Sequence, residues 1–141
     1  MRRFVSTISR VDLRPFVLPT RRQIAREESP VIALVDGMFA RLFQLGPGKV
    51  LAEMREGGSD DIVFTFYPKE GGPSVEVARC RRALFRRALS RLGGHYMDNQ
   101  VLGGYMHRHL VLEGKHLTML AYLSNTQLGG YWVKIFVGKA K

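Results

Sequence analysis

Four histidines, one cysteine and an adjacent aspartate pair are the side chains of this sequence best suited to chemistry. His107 and His109 alternate along one strand-like stretch and so share a face. A two-residue turn at Gly114-Lys115 would set Glu113 opposite His116, Val111 opposite Thr118, His109 opposite Leu120 and His107 opposite Tyr122. His116 would then sit about 13 Å or more along the strands from a site shared by the other two. His95 falls on another segment, so these residues are not expected to gather around a metal, and no cofactor is expected.

Cys80 stands among Arg79, Arg81 and Arg82, and cationic neighbours can activate a thiol. Its place at the edge of an apolar stripe, with no histidine beside it, reads instead as structural. Asp60 and Asp61 are adjacent, and on a strand they would point to opposite faces, which does not suit paired acid/base work. Gly46-Pro47-Gly48-Lys49 lacks the spacing of a phosphate-binding loop and a following helix. These readings together point to a chain that is not an enzyme.

Charge is the stronger signal. The 141 residues carry a net +10, with 22 basic against 12 acidic side chains. The excess is segregated: residues 1–26 and 77–141 are basic and flank an acidic middle. Such a balance favours phosphate-bearing partners. The single cysteine rules out an internal disulfide. No apolar run reaches the roughly 20 residues that a membrane-spanning helix needs, so no transmembrane segment is expected.

The elements that would position these groups centre on residues 74–94, read as one long amphipathic helix with Ser74 as its N-cap. Val77, Leu84, Phe85, Ala88, Leu89 and Leu92 would make its apolar stripe. Arg79, Arg82 and Arg86 would form a ridge opposite, flanked by Arg87. Replacing the three ridge residues with Gln is expected to spare the core. Residues 1–30 read as a basic N-terminal arm carrying Arg2, Arg3, Arg10, Arg14, Arg21 and Arg22, expected to lie against a partner. Residues 1–10, rich in Arg and Ser and free of acids, have the composition of a mitochondrial targeting segment. Thr20 and Gln23 form a capping box for a short helix.

Residues 31–141 read as a single α+β domain. Around Asp36-Gly37, residues 31–45 suggest a hairpin, with a single helix as the competing reading. Strands are expected over 49–55, 61–67, 95–102, 105–113, 116–123 and 131–137. The fold expected is an antiparallel sheet of about six to eight strands packed on the one long basic helix. Alternation puts Tyr105, His107, His109, Tyr122, Trp132, Lys134 and Phe136 on one sheet face. That face suits the stacking of unpaired bases, with Lys134 for phosphate; the competing reading is an apolar layer covered by the arm or by a neighbouring subunit.

The function expected is a non-enzymatic basic structural subunit of a large ribonucleoprotein, a mitochondrial ribosomal protein contacting rRNA. The alternatives are an accessory subunit of a mitochondrial inner-membrane complex (a respiratory complex or ATP synthase) and a stand-alone nucleic-acid-binding protein. Partners would be RNA and neighbouring subunits, with anionic lipid headgroups in the membrane-complex case. The location would be the mitochondrial matrix side, or otherwise the cytoplasm.

Overall fold

The computed structural model describes residues 11–93, 104–125 and 130–139. It is an α+β domain in which three helices cover one face of a seven-stranded mixed sheet. The strands are β1 (Val11–Val17), β2 (Gly48–Met54), β3 (Asp61–Pro68), β4 (Val75–Arg81), β5 (Gly104–Leu112), β6 (Lys115–Asn125) and β7 (Tyr131–Lys139). The helices are α1 (Arg21–Ala25), α2 (Pro30–Leu45) and α3 (Arg82–Arg91). The spatial order is β1-β5-β6-β7-β2-β3-β4. All neighbours are antiparallel except β1, which runs parallel to β5. After α1 the order is a helix and a three-stranded meander, twice over.

Alternation along the strands fills the buried face. Val50, Ala52 and Met54 on β2, Ile62, Phe64 and Phe66 on β3, and Val133, Ile135 and Val137 on β7 all point to the helices. On α2, Val35, Met38, Phe39 and Leu42 recur at helical spacing and complete the same core.

Residues 31–45 are thus helical, not a hairpin, with Pro30 in the first turn. The aspartate that suggested a turn is used elsewhere. Asp36 is 1% exposed and accepts two bonds from Arg91 of α3, Nε to Oδ1 at 3.1 Å and Nη2 to Oδ2 at 3.0 Å. This paired geometry ties α2 to α3 and satisfies a carboxylate that would be costly to bury alone.

Residues 74–94 are not one helix. The first part is strand β4, and the helix begins only at Arg82, so α2 is the longest helix among the described residues. Val75 and Val77 are β-branched, and a strand suits them better than a helical turn does. From Phe85 onward the expected stripe holds, with Phe85, Ala88, Leu89 and Leu92 buried.

Residues 11–25 belong to the fold rather than to a detached arm. β1 pairs with β5 from Val11↔His107 to Val17↔Val111, and Leu18 N–H donates to the Val111 carbonyl at 2.8 Å. The Arg108 guanidinium lies 5.3 Å from the centre of the Phe16 ring, a second tie between these strands. The capping box of Thr20 and Gln23 is formed. Residues 1–10 and the strand expected over 95–102 lie outside the described residues.

The β5–β6 register also differs from expectation. The two turn residues are Glu113 and Gly114, with φ of 49° and 83°, the left-handed pair that a tight hairpin requires. Glu113 holds this costly conformation while its carboxylate accepts from the Arg21 N–H and from Arg21 Nη1, each at 2.7 Å. Pairing therefore shifts, giving Val111↔His116, His109↔Thr118, His107↔Leu120 and Tyr105↔Tyr122.

Two predictions follow from these local arrangements. A Cβ added at Gly37, inside α2, would meet only Ile24 Cγ2, at an ordinary 4.0 Å. Gly37→Ala is therefore expected to raise stability by about 0.5–1 kcal/mol in urea unfolding, whereas a turn glycine would lose stability on the same change. Glu113 is the second case. The Arg21 backbone N–H, followed by its side chain, holds the Glu113 carboxyl below its ordinary value of 4.5. Its stabilising contribution is thus present above that value and lost as pH falls through the lower folded value. Urea midpoints measured between about pH 6 and pH 3.5 should fall less in Glu113→Gln than in the native chain. Equal falls would show that the Arg21 contact contributes nothing.

Candidate nucleic-acid interface

All three helices lie on the buried side of the sheet, so among the described residues no element covers the other side. Its side chains line up in rungs across the strands. One rung runs Tyr122–Lys134–Leu51–Thr65 and the next runs His107–Leu120–Phe136–Lys49–Tyr67. A third sets Ser124, Trp132 and Glu53 side by side. Alternation fixes this face, because each of these residues is one step from a core residue on its own strand.

Phe136 is 39% exposed and Tyr67 41%, two of the most exposed large apolar side chains described. Trp132, Tyr122 and Lys134 are half-buried. Tyr122 and Phe136 meet edge to face with ring centres 6.0 Å apart. Leu51, Val63, Tyr67, Trp132 and Lys134 line an open groove of about 410 Å³. Phe136 and Tyr67 stand two strands apart, about 10 Å, with Lys49 between them. Flat rings with an ammonium between them can stack bases while the cation meets a phosphate. Tyr67 and Lys49 are the members sequence reasoning missed. The signal was the alternation of residues 61–67, in which Ile62, Phe64 and Phe66 face inward and Tyr67 outward.

Of the expected face residues, His107, His109, Tyr122, Trp132, Lys134 and Phe136 do share this surface, and Tyr105 occupies the matching backbone position opposite Tyr122. The histidine geometry corrects the sequence reading. With the shifted register, His116 lies diagonal to His109, and Nε2 of His109 is 2.8 Å from Nδ1 of His116.

The arginine ridge is not assembled. Arg79 is on β4, where it pairs with Glu76 at 2.8 Å and Asp61 at 3.3 Å. Hydrogen bonding from Arg79 also holds the Glu76 carboxyl below its ordinary value. Arg82 opens α3, and its Nη2 donates to the carbonyls of Arg55, Gly58 and Ser59 at 2.9, 3.2 and 3.2 Å. Arg86 is exposed with its guanidinium 6.0 Å from the centre of the Tyr131 ring, and Arg87 is exposed as well. α3 therefore presents its arginines on the opposite side of the sheet from Trp132 and Phe136. Arg21 is engaged with Glu113, and Arg22 is exposed on α1. Arg14 lies on β1, while Arg2, Arg3 and Arg10 are outside the described residues.

Cys80 is buried opposite Ile62, and burial pushes its thiol up to about 11, which disfavours the nucleophilic thiolate at neutral pH. No helix among the described residues is long and apolar enough to cross a membrane. No protein-family model matches the chain, and no curated protein matches it.

Arg82 thus serves the loop rather than a ligand, so the expected tolerance of the triple Gln replacement does not hold for this member. Arg82→Gln is expected to cost about 1–3 kcal/mol in chemical unfolding, because three carbonyls lose a charged donor. Arg87→Gln, on an exposed helical position, should change stability by less than about 0.5 kcal/mol. Equal effects of the two would remove the structural role assigned to Arg82.

Proposed function

We propose that this chain is a non-enzymatic RNA-binding subunit of a ribonucleoprotein, and that it takes unpaired RNA on the open sheet face. The observation that carries the reading is the set Tyr122, Phe136, Trp132 and Tyr67 interleaved with Lys49 and Lys134 on a face with no covering element among the described residues. Aromatic faces accept any base, and ammonium groups at strand spacing can follow the backbone. The net charge of +10 supports a polyanionic partner. The exposed Arg22, Arg86 and Arg87 would add phosphate contacts from neighbouring helical segments of a folded RNA.

The assembly to which we assign the chain is the mitochondrial ribosome. The support is compositional: an Arg- and Ser-rich, acid-free segment at residues 1–10 and a strongly basic whole. The other reading, an accessory subunit of a mitochondrial inner-membrane complex, draws on the apolar members of the same face. Leu51, Val63 and Leu120 would suit a protein neighbour as well as a base.

Trp132 is the only tryptophan, so its emission reports directly on the proposed surface. Titrating single-stranded RNA should change Trp132 fluorescence and give a saturable isotherm. Phe136→Ala and Tyr122→Ala should each weaken affinity by about 5- to 150-fold, the equivalent of about 1–3 kcal/mol per stacked base. The slope of log K against log salt should be about −0.7 for each phosphate held. Binding that leaves Trp132 emission unaltered would move the interface to another surface. Particle association that survives complete ribonuclease digestion and is released by detergent would favour the membrane complex instead.

A further inference from the structure

We propose that His109 and His116 form a two-histidine chelate for a divalent late first-row transition metal, with Cu²⁺ the tightest. The hairpin register creates it. Because Glu113 and Gly114 make the turn, His116 stands opposite Val111 and His109 opposite Thr118, one diagonal step apart on the open face. The rings are 4.9 Å apart between centres and inclined by 53°, and Nε2 of His109 approaches Nδ1 of His116 to 2.8 Å. Two metal–nitrogen bonds of about 2.0–2.1 Å meeting at a right angle put their nitrogens about 2.9 Å apart, whereas a tetrahedral angle needs about 3.4 Å. The observed separation matches the right-angled arrangement that Cu²⁺ favours in nitrogen and oxygen sites. In the metal-free chain the two nitrogens meet as a hydrogen-bonded pair, and a metal ion would displace the proton between them as the two rings turn their nitrogens toward it.

The surroundings leave room for the remaining positions. His116 and Thr118 are exposed. Gly138 of β7, the neighbour of Thr118, has no side chain to crowd the site. Glu113 is committed to Arg21, and His107 lies opposite Leu120, four positions along from the partner of His116. Two imidazoles from the chain, with water or an incoming donor completing the shell, are therefore what this site offers.

The test uses the tag-free full chain and each metal salt alone. Calorimetric titration with Cu²⁺ should give saturable binding of one ion per chain, tighter than with Ni²⁺ or Zn²⁺. The electron paramagnetic resonance spectrum should show coupling to imidazole nitrogen. His109→Gln and His116→Gln should each weaken binding at least about tenfold, while His107→Gln leaves it unchanged. Circular dichroism of the metal-free variants checks that the hairpin is retained, as expected for these substitutions on the open face. The proposal is overturned by no saturable binding, by undiminished affinity in a folded His116→Gln, or by equal loss in His107→Gln, which would make the His107/His109 pair the ligands.

Discussion

The pairing of β2 with β7 is the contact on which the rest of the fold depends. It runs without interruption from Gly48↔Val137 to Met54↔Tyr131 and joins the end of the second meander to the start of the first. Without it the sheet would divide into a four-stranded unit, β1-β5-β6-β7, and a three-stranded one, β2-β3-β4, each with only part of the buried face. Joined, the strands share one buried face, and α2 and α3 pack side by side against it. The bidentate contact between Asp36 and Arg91 then fixes their spacing. Removing either partner would strand the other charge in a poorly hydrated place, so the pair specifies the packing as much as it strengthens it.

That arrangement decides what is left for binding. A sheet covered on one side only must show alternate residues of every strand on the other, and in this chain many of those residues are aromatic or cationic. The exposure of Phe136 and Tyr67 is thus inherited from the architecture. Their identity is not, since Thr or Lys would sit there at less cost to solubility.

Much of the sheet was legible in the sequence, because β2, β3, β5, β6 and β7 alternate clearly and their turns are rich in glycine. The face holding Tyr122, Trp132, Lys134 and Phe136 could be read for the same reason. What escaped were features decided by distant partners. Asp36-Gly37 carries a local turn signal, and only Arg91, far along the chain, shows why that aspartate belongs in a helix. Val77 fits a helical stripe until β3 is known to lie beside its strand. The hairpin turn fell one residue early because Glu113 tolerates a left-handed conformation only with Arg21 at hand. The proximity of His109 and His116 was hidden by that single displacement, since a one-residue change in the turn moves every cross-strand partner.

Among the described residues β1 has β5 as its sole neighbour in the sheet, and the Arg21–Glu113 contact beside it spans 92 residues of sequence. During synthesis β1 must therefore wait until β5, far along the sequence, has emerged before it can be paired. The meander of β2, β3 and β4 has only local connections and can form first, leaving β1 and α1 to close over the far edge as a late step. Until then Phe16, Val17 and Leu18 travel as an unpaired apolar stretch. Folding then buries Leu18 and half-buries Phe16, while Val17 stays exposed at the edge of the finished sheet.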